Sequence, residues 1–246
     1  MNLNAYHGAP GISSSNLRLL AESPVHLDNK HLFKLDSPAL VFGNVVHKMI
    51  LEPEDFENVY ITAPIVDLRT NKGKDELTVF KAENADKIIV SADDIAKAER
   101  MAANVKAIAG NLLTRGKAEQ SFLVDDDGLT YKCRPDYLRE DLGLAIDIKT
   151  TSDASDYGMK KSVANYQYHW TAYWYLKVLN LAGLNITRYL FCFVESSPPY
   201  MVRLRELSQQ SLNSAEQEIE TLLAHYRHYK LTGKASIFKT LTGFGE

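Results

Sequence analysis

The spacing of hydrophobic positions along this chain changes period several times, and each change marks an element. Between Leu144 and Lys149 the period is two: Leu144, Ile146 and Ile148 share one face, Ala145, Asp147 and Lys149 the other. A strand here projects Asp147 and Lys149 from the same face, one pleat apart. A second strand-like run, Leu129 to Arg134, ends at the turn-forming pair Pro135–Asp136. If the two runs pair as an antiparallel hairpin, Asp136 lies close to Asp147. Further strands are expected over Lys87 to Val90, Ala118 to Val124, Thr187 to Val194 and Tyr200 to Arg205. The Thr187 run is apolar enough for a sheet interior, and the Tyr200 run reads as an edge.

Helical spacing fills the intervals. Ser13, Ser14, Ser15 and Asn16 offer N-caps to a helix carrying Leu17, Leu19 and Leu20; it stops at Ser23–Pro24, where a second short helix begins. Leu40, Val41, Val45, Val46, Met49 and Ile50 form the apolar stripe of a helix from Pro38 to Glu52, ended by Pro53, with His47 in its middle. Ser91 caps a helix to Ala109, with Asp93 and Asp94 at its positive end. The longest helix is expected from about Tyr157 to Leu181. Its rings at Tyr166, Tyr168, Trp170, Tyr173, Trp174 and Tyr175 surround every face, so not all can be buried. A last helix runs from Ser208 to Tyr229, and the tail from Lys230 is expected to pack loosely. Asp67 to Glu76, DLRTNKGKDE, reads as a polar loop of weak order. No repeat or linker divides the chain. It is expected to be one α/β domain over 1–246, with an N-terminal helical part (1–60) carrying His47 and a central sheet (118–206) carrying the chemistry.

Composition narrows this. With 246 residues and 45% hydrophobic content the chain can bury a sizeable core. It has no apolar run long enough for a membrane span, and the start MNLNAYHGAPG does not read as a signal peptide, so a cytoplasmic location is expected. Cys133 and Cys192, its two cysteines, sit in expected strands and read as reduced core thiols. The net charge of −3 argues against a simple nucleic-acid binder. A local basic groove would suffice for an enzyme, and the candidate patches are Arg69, Lys72 and Lys74; Lys160 and Lys161; and Arg227, Lys230, Lys234 and Lys239. Each of these also reads as an ordinary solvated face.

Two carboxylates and an ammonium at one sheet edge suit metal-dependent phosphodiester cleavage. Asp136 and Asp147 supply hard oxygen ligands for Mg²⁺. The ion polarises the phosphate and lowers the pKa of a bound water. Lys149 holds that water or offsets transition-state charge. The plainer alternative is a surface ion pair worth about 0–1 kcal/mol. The order Pro135–Asp136, then Asp147-x-Lys149 inside an apolar strand, is the PD-(D/E)XK pattern. His47 reads either as a core histidine or as a metal ligand. Glu119, at the start of the Ala118 strand, is a secondary ligand candidate.

The chain resembles the nuclease domain of exonuclease VIII, the RecE-type enzyme of prophage recombination systems, within the PD-(D/E)XK superfamily. The resemblance covers nearly its whole length, through YHGAPGISSSNLRLL, FGNVVHKMILEPEDF, RTNKGK, AEQSF, CRPD, DIKTT and YQYHWTAYWY. It implies a restriction-endonuclease-like core, a central mixed sheet flanked by helices. It implies metal ligands at His47, Asp136, Asp147 and the carbonyl of Ile148, the catalytic lysine at Lys149, and the glutamate of the A-E-x-S segment at Glu119. Related nucleases hold DNA with a Gln-x-x-x-Tyr motif on the following helix. Here Thr171 stands at the glutamine position and Tyr175 at the tyrosine, and Gln167, one turn earlier, is the residue that could substitute. The resemblance implies a Mg²⁺-dependent exodeoxyribonuclease (Mn²⁺ substituting) that acts 5′ to 3′ on ends of linear double-stranded DNA. It implies a homo-oligomeric ring and a RecT-type single-strand annealing partner. The alternatives are a non-catalytic DNA-end-binding phage protein, which has no need of Asp136, Asp147 and Lys149 together, and an endonuclease on the same core.

Overall fold

Strand alternation and helical stripes sort this chain onto the two faces of one mixed sheet. The computed structural model describes residues 1, 3–33 and 37–235; Lys239 of the expected basic tail lies outside them. In order, the elements are α1 Leu3–Gly8, α2 Ser14–Glu22, α3 Pro24–Asp28, α4 Pro38–Leu51, α5 Phe56–Val59, β1 Tyr60–Thr62, α6 Asn71–Glu83, β2 Ile88–Val90 and α7 Ala92–Ala109. Then come β3 Lys117–Ala118, β4 Phe122–Asp126, β5 Leu129–Cys133, β6 Tyr137–Arg139, β7 Leu144–Thr151, α8 Asp156–Tyr166, α9 Tyr168–Leu181, β8 Arg188–Glu195, β9 Val202–Glu206 and α10 Gln209–Thr232. The main sheet has five strands in the order β3-β6-β7-β8-β9. Only β7 and β8 pair in parallel; the other neighbours are antiparallel. This is the α/β architecture with a mixed central sheet that the sequence implies.

The alternation in β7 divides the core as expected. Leu144, Ile146 and Ile148 join Val45 and Val46 of α4 and Met101 and Val105 of α7 on one face. Ala145 on the other face joins Tyr189, Phe191 and Phe193 of β8, Trp174 of α9, Leu17 of α2 and Ile219 of α10. Each large aliphatic buried this way contributes about 1.5–3 kcal/mol, so a register slip in β7 would forfeit several such terms. Both cysteines are buried free thiols, as expected.

Four expectations need correction. The run Leu129–Cys133 does not pair with β7; it pairs with β4 in a separate two-stranded sheet. The hairpin partner of β7 is β6, beyond Pro135–Asp136. The strand expected from Ala118 to Val124 is two strands, β3 and β4, because Glu119 adopts φ 52 and the chain changes sheets there. The long helix expected from Tyr157 to Leu181 breaks into α8 and α9 at Gln167, which is left-handed. And the polar stretch from Asp67 folds: Thr70 accepts a hydrogen bond from Gly73 N and caps α6, so only its first residues are loop. α1 was not legible as a helix. Among the described residues no helix is long and apolar enough to cross a membrane.

Candidate active site

β7 outruns β6, and the site forms where their pairing stops. The last pair at that end is Tyr137 with Ile146, which sets Asp136 beside Asp147 one step further out. On the other edge of β6, Ala118 pairs with Tyr137, and Glu119 N donates to the carbonyl of Asp136 at 3.0 Å. Glu119, Asp136 and Asp147 therefore form a row of carboxylate-bearing residues across three adjacent chains. The amide of Ile148, left without a β6 partner, donates to Asp136 Oδ2 at 2.6 Å. His47 reaches the row from α4, its Nδ1 3.4 Å from Asp136 Oδ2.

The charges in this row shape one another. Burial raises the Asp136 carboxyl well above its usual value and the Asp147 carboxylate adds to this; Lys149 opposes it. Burial, with a smaller push from Lys149, lowers the His47 imidazole to about 4, so at neutral pH it is uncharged with a lone pair available. A hydrogen bond with the Ile148 backbone works the other way, favouring the charged ring. Burial also raises Glu119, although Arg134 Nε pairs with its Oε2 at 2.6 Å. Burial by itself would lower Lys149. Asp147 and Asp136 outweigh it, and the ammonium stays protonated well into the alkaline range.

His47, Glu119 and Asp136 each offer one ligand atom, and those atoms lie within 4.8 Å of one another. An octahedral Mg²⁺ holds its ligands at about 2.0–2.1 Å, so they sit up to about 4 Å apart. Small side-chain adjustments meet that geometry, and one imidazole with two carboxylates is a hard donor set that fits a divalent ion. Asp147 stands just outside this group. Its buried Oδ2 is 2.6 Å from Lys149 Nζ, the distance of a charge-assisted pair. Glu119, a secondary ligand candidate in the sequence reading, groups with His47 and Asp136, and the Asp147 charge acts on both His47 and Asp136.

The DNA-positioning candidates follow one another at four-residue spacing along α9. Gln167 is the junction residue at the N-terminus of α9, one turn before Thr171, whose N donates to its carbonyl at 3.4 Å. Tyr175 packs edge-on against Tyr189, centroids 5.6 Å apart. Burial raises its phenol strongly, and Tyr6, Asp147, Cys133 and Asp136 add to the shift in that order. Two neighbours escaped sequence reasoning. Arg134 anchors Glu119 and also holds Ser121 and the carbonyl of Met1; its place just before Pro135–Asp136 was the available signal. Tyr168 carries Lys149 Nζ 5.2 Å from its ring centroid, and no spacing rule points to it. The expected basic patches are partly neutralised, since Arg227 pairs with Asp127 and Arg69 with Asp67.

Comparison with known proteins agrees with this fold. The family described as "PDDEXK-like domain of unknown function (DUF3799)" matches residues 13–237. A solved structure of a candidate exonuclease from Eubacterium rectale is similar at 12% identity and a TM-score of 0.63, over 90% of this chain and 82% of that one. A phage-related exonuclease from Haemophilus somnus aligns at 11% identity over 77% of this chain and 94% of that one, with a TM-score of 0.38. At 12% identity the likeness to the Eubacterium rectale structure concerns fold alone. No curated protein matches the chain.

Proposed function

The chain belongs to the PDDEXK-like family DUF3799, and from that premise we propose that it is a metal-dependent nuclease, more narrowly an exodeoxyribonuclease acting 5′ to 3′ on linear duplex DNA and leaving a 3′ single-stranded tail. The observation that carries this reading is the meeting of Asp136, Asp147 and Lys149 where β6 stops pairing with β7, with His47 and Glu119 against them.

The geometry supports the following roles. Asp136, its carboxylate fixed by the Ile148 amide, and His47, neutral at working pH, are the primary ligands, with Glu119, Asp147 and the Ile148 carbonyl completing the set. A divalent ion held there, Mg²⁺ or Mn²⁺, would polarise the scissile phosphate and make its bound water more acidic. Lys149 stays an ammonium beside Asp147, so it orients the attacking water and offsets negative charge building on the phosphate; it does not take the proton. Glu119 is steadied by Arg134. As in the family it resembles, the protein would assemble as a ring around DNA in the cytoplasm and pass the tail to a RecT-type annealing protein.

The test uses linear duplex DNA labelled separately at each 5′ and 3′ end, beside closed circular DNA, with Mg²⁺ or Mn²⁺. Release of the 5′ label, an intact circle and an inert Lys149→Ala variant are expected. Nicking of the circle would replace this reading with an endonuclease. Binding to ends without cleavage under either metal would replace it with a non-catalytic end-binding protein.

A further inference from the structure

Residues two apart on an unbroken helix point about 200° from each other, so rings at Tyr166 and Tyr168 would face opposite ways. Here they stack, with centroids 5.5 Å apart and planes at 25°. Gln167 is the cause. At φ 51 and ψ 45 it ends α8 and begins α9, turning the chain so that the flanking rings meet. That left-handed conformation is sterically unfavourable for any residue but glycine. The Gln167 side chain adds to the expense, because its Oε1 is buried with no hydrogen-bond partner. Local strain of this kind persists where the surroundings impose it, and it concentrates at functional sites.

The break creates a row of rings leading out of the candidate active site. Phe191 lies opposite Asp147 in the β7–β8 register. Tyr168 stacks with Phe191 at 5.5 Å and 27° and lies under the Lys149 ammonium. Tyr166 is the outermost ring and is 53% exposed. It contributes little to the core, yet it is held flat by Tyr168, one ring removed from Lys149. An exposed aromatic face fixed in orientation beside a phosphate-cleaving site is the surface on which a nucleobase stacks, and such stacking tolerates any sequence because every base has a π-face.

We propose that Tyr166, seated on Tyr168, is the stacking platform for an unpaired nucleobase of the strand entering the Lys149 site. The proposal rests on the nuclease reading above and deepens it. A base inside a duplex has both faces covered by its neighbours, so the platform selects frayed or single-stranded ends. Tyr166 is a positioning residue; it touches substrate away from the reacting phosphate.

Cleavage kinetics on duplexes with a mismatched, frayed end and with a fully paired end test this. Tyr166→Ala and the bulkier Tyr166→Leu are expected to raise KM on the frayed substrate about tenfold, the scale of one base–aromatic stack, with kcat within about twofold of wild type. Tyr166→Phe and Tyr166→Trp are expected to behave as wild type. In an inert Asp147→Asn background, 2-aminopurine at the strand end should be quenched on binding, and this quenching should vanish in Tyr166→Leu. Circular dichroism checks that the variants fold, which the half-exposed position favours. Unchanged KM and quenching in a folded Tyr166→Leu protein overturn the platform while leaving the nuclease reading intact. A Tyr166→Phe defect equal to that of Tyr166→Leu also overturns it, since the hydroxyl would then be the working group. Failure of the wild-type chain to cleave any linear DNA removes the nuclease reading and the platform with it.

Discussion

Asp136 is the residue at which function and stability pull apart most clearly. It is almost fully buried, faces Asp147 and Glu119, and keeps one good hydrogen bond, from the Ile148 amide. Its folded-state pKa is raised, so without metal the folded protein holds this proton more tightly than the unfolded chain does. The linked stability is then complete below the usual carboxylate pKa, is lost as pH rises toward the folded value, and stays lost above it. Asp136→Asn keeps an oxygen for the Ile148 amide and removes the buried charge. In chelator, Asp136→Asn is therefore expected to raise the urea midpoint over wild type, with the gap wider at pH 8 than at pH 5, while abolishing cleavage. Mg²⁺ or Mn²⁺ should raise the Tm of the wild type and not of the variant; a gap that shrinks with rising pH would contradict the charge assignment. Lys149→Ala works the other way. It strands Asp147, 4% exposed at its side chain, and breaking such a pair costs about 3–5 kcal/mol. Lower metal-free stability and a loss of cleavage by at least about 100-fold are expected, the scale of removing one transition-state donor, read by chemical denaturation and single-turnover kinetics.

At the scale of elements, the site depends on short strands being in register. Gly116 stands just before β3, where a Cβ would lie 2.3 Å from the carbonyl oxygen of Leu138 and 2.4 Å from the Tyr137 ring. Any side chain there pushes β3 off β6 and carries Glu119 away from Asp136. Gly116→Ala is expected to cost about 1–3 kcal/mol, the scale of an overpacked core, and to weaken Mn²⁺ binding by calorimetry; normal binding would show that Glu119 is not a ligand. This dependence also explains what could be read in advance. The alternation of Leu144 to Lys149 and the stripes of α4, α7 and α10 are local signals, and they put His47, Asp147 and Lys149 on the right elements. The partner of β7 was misassigned because pairing is a long-range choice: Leu129–Cys133 looks more like a strand than the short β6 and found β4 instead. The breaks at Glu119 and Gln167 were invisible for a different reason. Both residues adopt positive φ without being glycine, so tertiary packing imposes a conformation that their chemistry does not announce. Those two illegible joints are the ones that bring Glu119 beside His47 and Asp136 and Tyr166 onto Tyr168.

For the whole molecule, the question is how a chain of net charge −3 stays on a polyanion. Several of its cations are already paired: Arg227 with Asp127, Lys117 with Glu140, Arg205 with Asp156 and Arg188 with Glu206. The expected patches on α6 and α8, Lys72 with Lys74 and Lys160 with Lys161, form no salt bridge among the described residues and supply four cations to displace counterions; each phosphate neutralised adds about −0.9 to the slope of log K against log salt. The slope for equilibrium binding to a linear duplex is therefore expected to be shallow, no steeper than about −4. A protein that binds DNA this weakly by charge can remain on it by enclosure, which is the role of the ring proposed above. Enclosure makes a kinetic prediction that charge does not. If the chain assembles around DNA, salt added before mixing should suppress loading, whereas salt added after loading should leave strand degradation continuing past a heparin trap. A protein held only by charge would dissociate in both orders of addition. Sedimentation at the working concentration provides the companion reading: a monomer that degrades long strands in one encounter would rule out the ring, and the affinity would then have to come from contacts at the strand end itself.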